Sequence, residues 1–144
     1  LMMGWHSIYV PSSKILHKWS PTLGHTTRKF YLLELERLLS MWKNYSRRTL
    51  VLLAPALMLV ETSVFLYATA RGWLREKIRS YADLLRIRPI VAERRRSIQK
   101  HRLVRDGMIL ERFITEIEHP YMGPAGSVFN RLIIPLFARV RNSI

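Results

Sequence analysis

Residues 49–70 read TLVLLAPALMLVETSVFLYATA, 22 residues interrupted only by Pro55 and Glu61 and bordered by Arg47, Arg48 and Arg71. A helix of that length is sufficient for the hydrocarbon of a bilayer, which takes about 20 residues. Two features argue against an ordinary crossing. Pro55 has no N–H to donate and its ring clashes with the preceding turn, so a kink or break is expected there. Glu61 would sit near the midplane, where a carboxylate is costly and has a partner or a function. Basic residues mark the cytoplasmic side of a membrane, yet here they are dense on both flanks. Lys43, Arg47 and Arg48 precede the segment, and Arg71, Arg75, Lys77, Arg79, Arg86 and Arg88 follow it. Three placements stay open: a segment broken near Pro55 that dips into or lies along one leaflet, a complete span, or the core helix of a soluble protein. The first is favoured, because one crossing would strand a basic flank on the wrong side.

Composition narrows the partners. The chain has 144 residues, 49% of them apolar, enough for one domain with a core. Its net charge of +14 implies an anionic partner, either lipid headgroups or nucleic acid. With no cysteine, disulfides and thiolate metal sites are excluded. Residues 1–13 lack the basic start and apolar run of a signal peptide. The opening on Leu1 suggests a piece of something longer.

Along the chain, residues 4–10 (GWHSIYV) and 14–17 (KILH) are short runs rich in aromatic and β-branched residues, read as strands or extended segments. From about Thr27 the period becomes helical. Tyr31, Leu35, Leu38, Trp42 and Tyr45 form one stripe with Lys29, Glu36 and Lys43 off it, Thr26 or Thr27 is the N-cap, and the helix ends near Asn44. Gly72 closes the apolar segment as a C-cap. Residues 73–88 repeat the amphipathic pattern, with Leu74, Ile78, Tyr81 and Leu85 on one face, as in a helix lying among headgroups, and Pro89 limits them. A basic run over 93–102 follows, and Asp106 caps a further amphipathic helix carrying Ile109, Leu110, Phe113, Ile114 and Ile117. The tail after Gly126 is apolar with interspersed arginines. The expected class is therefore mainly α, with a short extended remnant before amphipathic, membrane-associating helices.

Several motifs in order resemble the rhamnosyltransferase-like branch of the family 2 glycosyltransferases. Gly4, Trp5, Tyr9, Val10 and Pro11 resemble its GW-x-x-x-YVP strand, followed by His17 and Ser20. Lys29, Tyr31, Glu34, Arg37, Lys43 and Asn44 resemble its K-x-Y-x-x-E-R-N-R helix. The apolar segment with Pro55 and Glu61, the turn at Arg71 and Gly72, and the run Arg95, Ile98, Gln99, Arg102, Val104 and Asp106 resemble the branch as well. The likeness reaches to about Ile117. It departs where the helix reads Glu34, Leu35, Glu36, Arg37, without the family's first Arg and its Asn. The family's nucleotide-binding half, D-x-D motif and catalytic base would lie upstream of Leu1, so the chain alone is not expected to be a competent enzyme.

The resemblance implies the end of a GT-A catalytic domain over 1–46, an apolar membrane-contacting segment over 47–72 and a basic helical extension over 73–144. It implies transfer of a sugar, rhamnosyl in the resembling branch, from a nucleotide-sugar donor to a lipid-linked or polysaccharide acceptor at the cytoplasmic face of the membrane. It makes His17 a ligand of a divalent metal, Mg or Mn, present only in the full-length enzyme. From the residues alone, His17 is a histidine at the end of an edge strand. Lys18, Trp19, Ser20, Glu34 and Arg37 are the candidate acceptor residues, against a surface loop for the first three and a mutual i,i+3 pair for the last two. Trp73, Arg75, Lys77, Arg79, Arg86, Arg94, Arg95 and Arg96 are expected at the membrane. His6, His25, His101 and His119 have no spacing that assembles a metal site. The competing class is a non-enzymatic basic protein that binds a membrane surface or nucleic acid. The apolar stripes favour the membrane, since a nucleic-acid surface has no need of them.

Overall fold

The computed structural model describes residues 2–5, 7–16, 26–112, 130, 131, 134, 135 and 137–139. These are mainly helical and include α1 (Thr27–Asn44), α2 (Arg47–Ala70), α3 (Leu74–Arg86), α4 (Arg88–Lys100) and α5 (Asp106–Leu110). α1 packs along α3 and α4, and α2 lies against α3.

Local chemistry sets the ends. Thr26 caps α1 by accepting from the Lys29 N–H at 3.3 Å, and Ser46 caps α2 by accepting from the Thr49 N–H at 3.1 Å. α2 stops in a Schellman motif. The Trp73 N–H returns to the Ala68 carbonyl at 2.7 Å and the Gly72 N–H to Thr69 at 3.1 Å, with Gly72 at φ 72°. The Trp73 ring meets Tyr67 edge-on at 6.0 Å and Phe30 at 5.4 Å, so the hydrophobic contact of the motif also ties α1 to the turn. A Cβ on Gly72 would meet nothing within 4 Å. Gly72→Ala is therefore expected to lose stability through the left-handed backbone alone, about 1 kcal/mol, with Gly72→Asn losing less. Thermal unfolding of the three proteins in one detergent measures this.

Three expectations need correction. α2 continues through Pro55 as one helix, with no break. The Val51 carbonyl loses the bond that Pro55 cannot supply, but bonds on either side keep the segment helical. α3 does end ahead of Pro89, at Arg86, but Pro89 does not end the helical region. It lies in the first turn of α4, where its missing N–H costs nothing, and Ile87 alone separates α3 from α4. Asp106 does not cap its own helix: α5 has Arg105 at the cap and no side-chain bond there.

The strands expected over 4–10 and 14–17 pair with nothing among the described residues. Trp5, Ile8 and Tyr9 stand exposed, and the chain turns at Pro11 and Ser12 with the Ser13 N–H on the Val10 carbonyl at 3.1 Å. An extended segment without a neighbouring strand cannot form a ladder. The start of the chain is instead tied down by the Met2 carbonyl, which accepts from Leu103 and Val104 at 2.9 and 3.2 Å. The expected helix through Ile117 ends at Leu110, with Glu111 and Arg112 in a turn, while residues 113–117 and most of the tail lie outside the described residues.

Among those residues the interior is unusual. Its apolar members are small in number, Leu53, Ala56, Ala68, Val91, Ile109 and Leu110, while Glu34, Thr49, Lys77, Ser80 and Asp106 are buried beside them. Large apolar side chains such as Val51, Met58, Leu66, Ile78 and Leu85 face outward.

Candidate functional site

The buried polar side chains form two centres. The first joins α1, α2 and α3. Lys77 is 0% exposed and donates to Glu34 and, at 2.8 Å, to Glu61. Arg37 donates to Glu34 at 2.8 Å and to Glu61, and the Tyr81 hydroxyl donates to Glu61 as well. Two carboxylates and two cations thus neutralise one another, each hydrogen-bonded, which is what charges need when water is removed. Burial pushes the Glu34 carboxyl up, but the hydrogen bonds from Arg37 and Lys77 outweigh it and hold the pKa below the ordinary range. Burial likewise lowers Lys77, and its bonds to the two glutamates more than reverse that. Ionised and mutually paired, these groups hold helices in place and are poorly suited to moving protons.

The second centre closes the junction between α1 and α2. The carbonyls at the end of α1 have no helical partners. Arg95 of α4 donates to the carbonyls of Trp42 and, at 2.7 Å, Tyr45, and Gln99 donates to that of Asn44 at 2.7 Å. One residue on, Asp106 accepts from the Ser46 N–H at 2.8 Å and the Thr49 hydroxyl at 2.6 Å, and is paired with Arg102. A cation therefore meets the negative end of α1 and a carboxylate the positive end of α2. Arg95 and Gln99 are four apart on one face of α4, and Arg102 follows just past its end. That spacing was the available signal for their shared role.

Beside the first centre an open cleft of about 620 Å³ is lined by Met2, Met3, Trp5, Met41, Tyr45 and Ile98 among others, with Arg37 in its wall. Of the candidate acceptor residues, Arg37 reaches this cleft and Glu34 is buried behind it. His17, Lys18, Trp19 and Ser20 lie outside the described residues. Among the described residues no three of His, Asp and Glu converge as a metal site requires.

The candidate membrane residues divide. Arg75, Arg86, Arg94 and Arg96 are exposed. Arg79 is largely exposed, 3.5 Å from Asp83 and stacked 5.0 Å over Tyr31. Trp73 is half-buried among aromatic rings. Lys77 must be corrected, since an enclosed ammonium bound to two glutamates cannot touch a headgroup. Arg95 must be corrected for a similar reason, its guanidinium being committed to the end of α1.

α2 is long and apolar enough to cross a membrane. It has 24 residues, of which the most apolar window is only 17% buried, and its length of about 36 Å exceeds the hydrocarbon thickness of about 30 Å. No protein-family model, no curated protein and no solved structure matches the chain.

Proposed function

We propose that this chain is the C-terminal, membrane-associated portion of a family 2 glycosyltransferase. The whole enzyme transfers a sugar, rhamnosyl by the resemblance, from a nucleotide donor to a lipid-linked or polysaccharide acceptor at the cytoplasmic leaflet. One observation carries this reading. Glu34, Arg37, Glu61, Arg95, Gln99, Arg102 and Asp106, which bear the resemblance from widely separated motifs, all belong to the two polar centres, together with Lys77, Tyr81, Ser46 and Thr49, which do not bear it. Unrelated coincidences of short motifs have no reason to converge in space. Residues 7–16, exposed and paired with no strand among the described residues, also suit a strand that completes an upstream sheet. Holding such an enzyme at the leaflet raises its effective concentration for a lipid-anchored acceptor.

A second reading, a non-enzymatic basic membrane-surface protein, has its own support. Every described carboxylate in the two centres is consumed by structural pairing.

An immunoblot of the native gene product separates the two. A band above 17.0 kDa by roughly 100 residues or more is expected, and a band at 17.0 kDa supports the second reading. In the longer protein, assayed with nucleotide sugars and membrane-extracted acceptor lipids, His17→Ala is expected to abolish metal-dependent transfer. Unchanged turnover would remove the metal role of His17, and absence of transfer by the unsubstituted protein would remove the enzyme reading.

A further inference from the structure

The outward face of α2 differs from the faces of the other helices in what it carries. Val51, Met58 and Leu66 are 71, 69 and 63% exposed and fall on one side, while Thr49, Leu53, Ala56 and Ala68 turn inward. Its exposed serine and threonine hydroxyls are bonded back to the helix. Thr62 donates to the Met58 carbonyl at 2.9 Å, Ser63 to Leu59 at 2.8 Å and Thr69 to Phe65 at 2.9 Å. In water such hydroxyls need no internal partner, but in hydrocarbon an unpaired one is heavily penalised.

The neighbouring helices then decide the orientation. Glu61, near the middle of α2, is bound by Arg37 of α1 and by Lys77 and Tyr81 of α3, so both helices run beside that middle. Arg75 and Arg79, two residues to either side of Lys77, are exposed. An α2 that crossed the bilayer would carry those arginines to its centre, where charge is expelled. An α2 lying flat keeps them at the headgroups. Arg47 at one end of α2 and Arg71 at the other are also exposed, and in the flat orientation both reach the same interface.

We propose that α2 lies in the plane of a single leaflet of an anionic phospholipid bilayer, with Val51, Met58 and Leu66 in the acyl region and Arg47 and Arg71 at headgroup level. This rests on the membrane-associated part of the reading above and is indifferent to the sugar-transfer part. The back-bonded hydroxyls favour lipid over a second copy of the chain, whose own polar groups would be available to pair with them.

The absence of cysteine makes the test direct. Single substitutions Arg47→Cys, Met58→Cys and Arg71→Cys are made in the full chain, checked for unchanged helix content by circular dichroism, and diluted from detergent onto preformed phosphatidylcholine–phosphatidylglycerol vesicles. A membrane-impermeant maleimide is added outside. Arg47→Cys and Arg71→Cys are expected to label equally, and Met58→Cys roughly tenfold more slowly, as burial in hydrocarbon dictates. A fluorophore attached beforehand at position 58 should be quenched by brominated lipid. Protection of one end only would mean a crossing and would overturn the proposal. Full labelling at all three positions, with binding lost in high salt, would mean surface adhesion and overturn it equally. Protection of Met58→Cys without vesicles, with a disulfide between copies and no lipid quenching, would assign the face to a dimer. None of these patterns depends on whether the longer protein transfers sugar, so the two readings fail separately.

Discussion

Replacing Lys77 by methionine is expected to destabilise the helical assembly by about 3 kcal/mol or more, the cost of breaking a buried ion pair from one side. Methionine fills much of the lysine stem's volume, so the loss comes from charge. Without the ammonium, Glu34 and Glu61 share only the guanidinium of Arg37. The discriminating measurement is the double variant. Adding Glu34→Gln to Lys77→Met leaves one carboxylate opposite one guanidinium, and should recover a substantial part of the loss although Glu34→Gln alone destabilises. Such a sign reversal is what a double-mutant cycle detects for groups that act as a unit. If the two losses simply add, Lys77 acts through its packing and the charge-balanced account fails. Thermal unfolding in one detergent, followed by circular dichroism, reads all four proteins.

The same lysine shows where the sequence stops being informative. The features legible in it were those set by neighbours along the chain: Thr26 as N-cap, the end of α1 at Asn44, Gly72 in the turn after α2, and the stripe Tyr31, Leu35, Leu38 and Trp42. Periodicity ranks lysine as a surface residue, yet Lys77 is enclosed, because the partners that make its burial tolerable stand 43 and 16 residues away. Ile78 and Leu85, read as the apolar face of a helix among headgroups, are exposed. Glu61 reads from the sequence more readily as an exposed or snorkelling carboxylate than as a paired one, and nothing local identifies Arg37, Lys77 and Tyr81 as its partners. For α4 the charges read as a basic run facing headgroups, whereas one of its faces, Arg95 and Gln99, is fitted to the end of α1.

An interior of paired charges with an exterior of Leu, Val, Met and Ile reverses the usual arrangement in water, where exposed contiguous apolar surface marks an interaction site. In a leaflet the reversal is consistent. Lipid covers the apolar side chains at no loss, and helices gain more from polar contacts between them than from burying more hydrocarbon. On this view the two polar centres hold the assembly together, and each should be sensitive to removal of one charge.

Asp106→Ala is accordingly expected to cost about 3 kcal/mol, since it strips the Ser46 N–H and the Thr49 hydroxyl of their acceptor and leaves the largely buried guanidinium of Arg102 without its carboxylate. The loss should be local first. Amide exchange at Thr49 and Leu50, in the first turn of α2, should accelerate before exchange in α3 does, and an equal acceleration in both helices would contradict a capping role. Acid provides an independent check. Burial alone would raise the Asp106 carboxyl, but Arg102, Thr49 and Ser46 hold it below the ordinary range, and Glu34 is depressed likewise. A carboxylate whose folded pKa is depressed contributes its stability in full above its unfolded pKa, about 4, and loses it as pH falls toward the folded value. The unfolding midpoint should therefore be level from neutral pH to about 5 and fall steeply below about 4. For Lys77, raised in the folded protein, the sign is opposite: its contribution persists below about pH 10 and is lost above it. Asp106→Asn keeps an oxygen for the Thr49 hydroxyl while removing the charge, so it should shorten the acid limb by the share due to Asp106.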